Sequence, residues 1–157
     1  MIETFNAGDK VVVITAIVET DDGAMEHDFI VDTGASQTLI DEDTLRKMGC
    51  IPANADRFVP IQGIGGPCKA PEHTMKSVSA LGVTKCDFKV LSGTMPEGSG
   101  AQGLLGTDFF KKQVLTIDFD LAEISLQSAS QYNNCPECHT KNIEHANFCN
   151  HCGRRLH

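Results

Sequence analysis

Short apolar runs rich in β-branched residues, each bounded by turn residues, dominate the first 126 positions of the chain. Runs of this length favour strands over helices, and their close spacing is typical of an all-β barrel or sandwich. Asp22-Gly23 and Gly82 each stand between two such runs and predict tight turns. The predicted strands cover residues 10–19, 24–31, 38–40, 58–61, 74–81, 84–91, 114–119 and 123–126.

Helix is predicted in two short segments. Asp41 can cap a helix that runs through Leu45 and Met48, and Gly49 can end it in a left-handed conformation. Residues 107–112 predict a single helical turn. Residues 92–103 hold four glycines and a proline, so we expect a loop there.

A polar stretch without periodicity, which ends at residue 134, divides the chain into two parts. Such a composition is typical of a linker. We therefore predict a barrel domain over residues 1–127, a linker over 128–134 and a small separate unit over 135–157. Cysteine usage supports the division, because Cys50, Cys68 and Cys86 are isolated whereas the last four form two close pairs.

Charge and hydropathy exclude several classes of protein. The formal net charge is −8, and residues 1–134 carry 10 Lys and Arg against 19 Asp and Glu, which gives −9 for that part. An acidic surface argues against nucleic acid or an anionic membrane as the partner. No apolar run reaches the roughly 18–20 residues of a membrane helix, and the N-terminus lacks the features of a signal peptide. We therefore expect a cytoplasmic protein with reduced thiols.

The candidate chemistry begins at Asp32-Thr33-Gly34, which follows the apolar run Phe29-Ile30-Val31. Taken alone, this tripeptide is as consistent with a surface turn, because Asp and Gly both favour turns. Two later motifs favour an active-site loop instead. Gly63, Ile64, Gly65 and Gly66 form a glycine-rich hairpin tip, which suits a lid over an extended peptide. Leu104-Leu105-Gly106 can pack a strand directly beneath the Asp32 loop.

These three motifs, in this order, resemble those of the retropepsin-like aspartic proteases, and the resemblance covers roughly residues 8–127. It implies a closed acid-protease barrel, a homodimer and an extended peptide or protein substrate. It also assigns roles: Asp32 as the catalytic residue, Thr33 in a hydrogen bond between subunits, and Gly34 and Ala35 in the active-site loop. Gly63, Ile64, Gly65 and Gly66 would form the substrate-binding flap. The chain departs from retroviral members at Thr107-Asp108, where those enzymes carry an Arg that braces the dimer.

The single Asp-Thr-Gly motif predicts a site shared by two chains. Hydrolysis by this chemistry needs two carboxylates that hold one proton between them and activate one water. The chain contains one such motif, so the second Asp32 must come from a two-fold partner. Ala35 cannot donate a hydroxyl to the carboxylate, so we expect activity to extend to weakly acidic or near-neutral pH.

The C-terminal unit holds two C-x-x-C knuckles, formed by Cys135 with Cys138 and by Cys149 with Cys152. Four thiolates from two knuckles are typical of a closed, structural zinc site, with one Zn²⁺ per chain and no part in catalysis. Disulfides and redox-active C-x-x-C pairs are the alternatives. The expected reduced state of the thiols argues against disulfides, and the lack of a surrounding βαβ pattern argues against redox pairs. The segment resembles small rubredoxin-like zinc ribbons, which suggests docking to a protein partner. Lys141, Arg154 and Arg155 offer only a small basic patch for nucleic acid.

Three functions from different classes therefore stand at this point. The leading hypothesis is a homodimeric aspartic endopeptidase that needs no catalytic cofactor. The second is a non-catalytic, peptide-binding dimer with a zinc ribbon for docking, and the third is a regulatory protein whose ribbon holds nucleic acid. The isolated cysteines could be core residues or exposed thiols, and we expect the core. His27 and His73 could be solvated strand positions or active-site neighbours, and we expect the former.

Overall fold

The computed structural model of the chain describes residues 1–63, 66–96, 98–128, 132–143 and 146–156. Within these ranges it contains twelve strands, two short α-helices and one 3-10 helix. In chain order they are β1 (Ile2–Thr4), β2 (Val13–Thr20), β3 (Gly23–Val31), β4 (Leu39–Asp41), α1 (Glu42–Lys47), the 3-10 helix (Pro52–Asn54), β5 (Arg57–Gly63), β6 (Gly66–Ala80), β7 (Val83–Gly93), β8 (Gly103–Leu105), α2 (Thr107–Phe110), β9 (Gln113–Asp118), β10 (Glu123–Ser128), β11 (Tyr132–Asn134) and β12 (Lys141–Ile143).

Six strands close into a barrel in the order β2-β3-β8-β4-β7-β6, because β6 also pairs with β2. Strand β5 pairs with β6 outside this ring. The short strand β8 lies parallel to β3 and antiparallel to β4. It is therefore inserted between two strands that follow each other directly in the chain and lies far from both in sequence. The predicted all-β, closed barrel is thus confirmed.

Alternation along β2 explains why the ring closes around an apolar interior. Ile14, Ala16 and Val18 are buried, whereas Thr15 and Ile17 between them are exposed, as the two-residue period of a strand requires. Burial of each large apolar side chain contributes about 1.5–3 kcal/mol to folding. The largest fully buried apolar side chains are Phe29, Phe109, Ile40, Leu45, Met75, Leu81, Leu105 and Ile124.

The predicted helix cap is confirmed. The Asp41 carboxylate accepts hydrogen bonds from the backbone N–H groups of Asp43 and Thr44 at 3.1 and 3.4 Å. Gly49, two residues after the helix, has a φ of +79°, the left-handed conformation that glycine adopts without strain.

Among the described residues, strands β1, β10 and β9 do not pair with the barrel strands. They form a separate three-stranded sheet in the order β1-β10-β9. The hairpin of β9 and β10 matches the prediction to within one or two residues. Strand β1 was not predicted, because a segment of three residues is too short to show a periodic pattern. Strand β11 begins at Tyr132, inside the segment predicted as linker, of which residues 129–131 lie outside the described ranges. The domain bounds therefore stay a prediction.

Two expectations about isolated side chains hold for some of their residues and fail for others. Cys68 and Cys86 are exposed and do not form part of the core, whereas Cys50 is half-buried and packs against it. His73 is buried, and neither its Nε2 nor that of the half-buried His27 has a hydrogen-bond partner within the described ranges. Burial lowers the pKa of both imidazoles, because it disfavours the charged form.

None of the helices in the described ranges is long and apolar enough to cross a membrane.

Candidate active site and metal centre

The Asp32 loop is held in place by the two strands at its base. Val31 at the end of β3 lies in register with Leu105 of β8. The backbone N–H of Asp32 donates to the Leu105 carbonyl at 3.0 Å, which extends the hydrogen bonding between β3 and β8 by one residue beyond Val31. The parallel pairing of β3 and β8 therefore delivers Asp32 to the edge of the barrel.

The loop turns tightly around the Asp32 carboxylate. The Gly34 N–H donates to Asp32 Oδ1 at 2.9 Å, and the Ala35 N–H donates to the Asp32 carbonyl at 3.2 Å. A Cβ on residue 34 would lie 3.2 Å from that same Oδ1, tighter than ordinary contact. Glycine at this position therefore lets the backbone approach the carboxylate and fix its direction.

Thr33 and Gly34 are exposed in the single chain, whereas Asp32 and Ala35 are half-buried. Thr33 and Gly34 in the middle of the motif thus face outward, whereas Asp32 is held by β8 and Ala35 by the start of α2. An exposed Thr33 is compatible with the hydrogen bond between subunits that the sequence resemblance implies.

Leu104-Leu105-Gly106 lies against this loop, as the sequence predicts. A Cβ on residue 106 would lie 2.5 Å from the carbonyl carbon of Gln37 and 2.6 Å from its oxygen. Backbone atoms cannot yield in the way that a flexible side chain can, so only glycine fits here without a shift of the loop.

Thr107 braces the loop from within the same chain. Its backbone N–H and its hydroxyl both donate to the Ala35 carbonyl, at 2.8 and 3.1 Å. This is the position where retroviral enzymes carry a bracing Arg. In this chain Thr107 instead ties the Asp32 loop to the start of α2.

Asp108 fixes the other end of the loop through Thr38, 70 residues away in sequence. Its carboxylate accepts from the Thr38 N–H at 3.0 Å, from the Thr38 hydroxyl at 2.8 Å and from the Phe109 N–H at 2.9 Å. The Thr38 hydroxyl in turn accepts from the Gly106 N–H at 3.1 Å. Thr38 is fully buried, so its polar groups depend on these partners. Sequence reasoning missed this network.

Replacement of Asp108 by Ala should destabilise the fold by about 2–3 kcal/mol, because it leaves the buried Thr38 N–H and hydroxyl without an acceptor. Urea unfolding of the variant measures this difference. Asp118→Ala is the control, since its carboxylate caps an exposed turn at Asp120 and Leu121. A loss below about 0.5 kcal/mol in Asp108→Ala, the range of ordinary surface substitutions, would show that the network contributes little.

The segment predicted to form the flap lies in a long hairpin made by β5 and the first part of β6. Its register runs from Arg57 opposite Glu72 to Gly63 opposite Gly66, so two residues connect the strands. Gly66 has a φ of +101°, which favours glycine. The other two predicted flap residues, Ile64 and Gly65, lie outside the described residues.

The four C-terminal cysteines form a cluster suited to a metal. Their Sγ atoms all lie within 4.8 Å of one another, with 3.6 Å between Cys135 and Cys152 and 3.5 Å between Cys138 and Cys149. Four Zn–S bonds of about 2.3 Å in a tetrahedron place sulfurs about 3.8 Å apart. The cluster therefore fits Zn²⁺, and all seven cysteines of the chain are free thiols.

Asn142 and backbone amides surround the sulfurs. The buried Asn142 donates from Nδ2 to Cys149 Sγ at 3.6 Å and accepts from the Asn150 N–H at 2.8 Å, which ties β12 to the second knuckle. Hydrogen bonds from the backbone N–H groups of Cys152 and His151, and from Asn142, lower the pKa of Cys149 to about 6. A thiolate is the form that binds metal.

The pKa of Cys152 moves in the opposite direction. The Arg154 N–H favours its thiolate, but the neighbouring Cys138, desolvation, Cys135 and Cys149 outweigh that bond and raise the pKa to about 12. Four sulfurs this close cannot all be ionised without a cation. A divalent metal would remove this conflict.

Comparison with known proteins supports both parts. The model of the family described as "gag-polyprotein putative aspartyl protease" matches residues 20–112, more than half of the chain, and a zinc-ribbon domain model matches residues 134–156. Both match the predicted kinds of domain. No curated protein matches the chain.

Among solved structures, a retropepsin-like aspartic protease from Rickettsia conorii is similar, with a TM-score of 0.60 and 24% sequence identity. The likeness covers 82% of this chain and 92% of that one. At this identity it bears on the fold alone, and it agrees with the closed barrel described above.

Proposed function

Because the chain belongs to the gag-polyprotein aspartyl protease family, we propose that it is a homodimeric aspartic endopeptidase in which the Asp32 carboxylates of two chains hydrolyse peptide bonds. The observation that carries the proposal is the Asp32 loop. The Gly34 N–H orients the Asp32 carboxylate. The Leu105 carbonyl holds one end of the loop at the Asp32 N–H, and Thr107 holds the other end at the Ala35 carbonyl.

The proposed mechanism divides the work between two identical carboxylates. At close range they share one proton, because two negative charges repel. The ionised Asp32 takes a proton from water as that water attacks the peptide carbonyl. The protonated Asp32 polarises the carbonyl and stabilises the oxyanion that forms. Titration of the site then belongs to the pair.

The second chain is needed because one chain supplies one Asp-Thr-Gly. A two-fold axis between two Asp32 loops would bring both carboxylates to one water. The exposed Thr33 suits a contact across that axis. The flaps, with Gly63 and Gly66 at the described part of the tip, would close over an extended peptide from outside the barrel.

We propose a separate role for the C-terminal unit. Cys135, Cys138, Cys149 and Cys152 would hold one structural Zn²⁺ per chain, which joins the two knuckles and takes no part in hydrolysis. The ribbon would dock a protein partner, and the barrel would extend over residues 1–127. A cytoplasmic location suits the seven free thiols.

Incubation of the protein with a diverse peptide mixture between pH 3 and 8, followed by mass spectrometry, tests the proposal. We expect cleavage within extended segments, and specific activity that falls on dilution in parallel with the dimer fraction measured by sedimentation. Activity that is constant while the dimer dissociates would refute the shared site. Peptides that bind without cleavage would instead support the non-catalytic, peptide-binding dimer.

The pH profile of the same assay tests the expectation drawn from Ala35. Without a hydroxyl at this position to favour the ionised carboxylate, cleavage should extend to weakly acidic or near-neutral pH. A profile confined below about pH 4, the ordinary range of carboxylates, would contradict it. An Ala35→Ser variant is the matched comparison, and its profile should move toward lower pH.

A further inference from the structure

Glu72 lies where the flap hairpin leaves the barrel. Pairing of β5 with β6 begins at Arg57 opposite Glu72 and runs outward to the tip. Pairing of β6 with β7 begins at Glu72 opposite Leu91 and runs the other way. On the tip side of Glu72, β6 therefore pairs with β5, and on the other side it pairs with β7 and β2. A movement of the flap relative to the barrel must turn about this point.

The side chain of Glu72 is fully buried, yet cations from both neighbouring strands reach it. Arg57 on β5 donates from Nε to Oε1 at 2.7 Å and from Nη2 to Oε2 at 3.1 Å. Lys89 on β7 places Nζ 3.5 Å from the same Oε1. The two cations are themselves more than half exposed. One buried carboxylate thus connects the arm of the flap to the wall of the barrel.

The contact between Arg57 and Glu72 fixes the orientation of both side chains. A bidentate contact between a guanidinium and a carboxylate fixes both planes, which a single contact cannot do. The bond with Arg57 also lowers the pKa of Glu72 and outweighs the effect of burial. The backbone adds a further tie, since the Asp56 N–H donates to the Glu72 carbonyl at 2.8 Å and the Thr74 hydroxyl donates to Asp56 at 2.7 Å.

We propose that Glu72, clamped by Arg57 and Lys89, is the hinge that sets the position of the flap over the Asp32 loop. It is a positioning residue, since it acts on substrate through the β5–β6 arms. The proposal rests on the proposed function for its effect on hydrolysis, although the hinge itself can be tested without catalysis. A buried ion pair adds little net stability compared with an apolar residue of the same size. The role of the Glu72 ion pair would therefore be to fix the orientation of the flap relative to the barrel.

Replacement Glu72→Met tests the hinge, because it keeps the volume and removes the charge. We expect amide hydrogen exchange in the flap arms, residues 58–62 and 66–70, to accelerate about tenfold while exchange between β6 and β7 is unchanged. For peptide cleavage, KM should rise about tenfold with kcat within about threefold, because the flap acts on binding. Arg57→Lys, which keeps the charge but loses the fork, should give an intermediate effect and covers the case in which Glu72→Met does not fold.

Glu19→Gln is the matched control. Glu19 on β2 accepts from Lys76 at 2.9 Å and from Ser77 at 2.8 Å, so it is an ion pair to β6 within the barrel wall. Its loss should leave the flap arms unchanged. The hinge is wrong if the arms of Glu72→Met exchange at the wild-type rate, or if the β6–β7 amides accelerate equally. Loosened arms in a protein without peptidase activity would support the hinge and refute the proposed function instead.

Discussion

Replacement of Asp32 by Asn is expected to lower kcat for peptide hydrolysis by about a thousandfold or more, because the dimer loses both groups that exchange protons with water and carbonyl. Asn keeps the shape of Asp and an oxygen that can accept the Gly34 N–H, which lies 2.9 Å from Oδ1 in the wild type. The fold and the dimer should therefore persist. Progress curves on a cleaved peptide, together with thermal unfolding and sedimentation, measure these properties separately.

Asp43→Asn is the matched control for this substitution. Asp43 is exposed in α1, so the same chemical change there should leave kcat within about twofold, as surface substitutions usually do. An Asp32→Asn enzyme that retains more than about a tenth of the wild-type kcat would contradict the role given to Asp32, since general acid–base catalysis contributes at least about a hundredfold.

The same variant also tests whether two chains share the site. If dimers form at random, an equal amount of Asp32→Asn chain should lower the activity of a fixed amount of wild-type chain to about half, and a ninefold excess to about a tenth. An equal mass of an unrelated protein serves as the control. Wild-type activity that does not respond to the variant would mean that one chain is sufficient, even if the variant alone is inactive.

The sequence predicted those parts of the site that depend on local residue chemistry. Gly106 was assigned to close packing beneath the loop, and the 2.5 Å approach of an added Cβ to Gln37 supplies the physical reason. Asp41 and Gly49 bound α1 because a cap and a left-handed end are properties of single residues. The cysteine spacing likewise predicted a cluster in which all four sulfurs meet.

The parts that sequence missed depend on contacts between distant segments. Thr38 and Asp108 are 70 residues apart, and neither carries a pattern that points to the other. The sequence alone indicates that Glu72 is a solvated strand residue, because a charged side chain is almost never fully buried unless it is paired. Its partner Arg57 lies 15 residues earlier, across a hairpin register that periodicity alone does not fix.

Replacement of Cys149 by Ser is expected to reduce bound zinc from about one ion per chain to less than about a tenth, and to unfold residues 135–156. A unit of about twenty residues cannot fold on its apolar burial alone, so the metal must supply the folding free energy. Cys149 is buried and accepts hydrogen bonds from Asn142 and from the His151 N–H. Elemental analysis after dialysis and amide exchange of the ribbon measure the two effects.

Cys86→Ser is the matched control, because Cys86 is an exposed thiol on β7 of the barrel. It should keep the zinc and the exchange pattern of the wild type. A closed site of four thiolates has no open position for water or substrate, so Cys149→Ser should still cleave short peptides within about twofold of wild type. Retention of one zinc per chain in Cys149→Ser would contradict the ligand set. Loss of short-peptide cleavage with an intact barrel would instead show that the ribbon contributes to the active site.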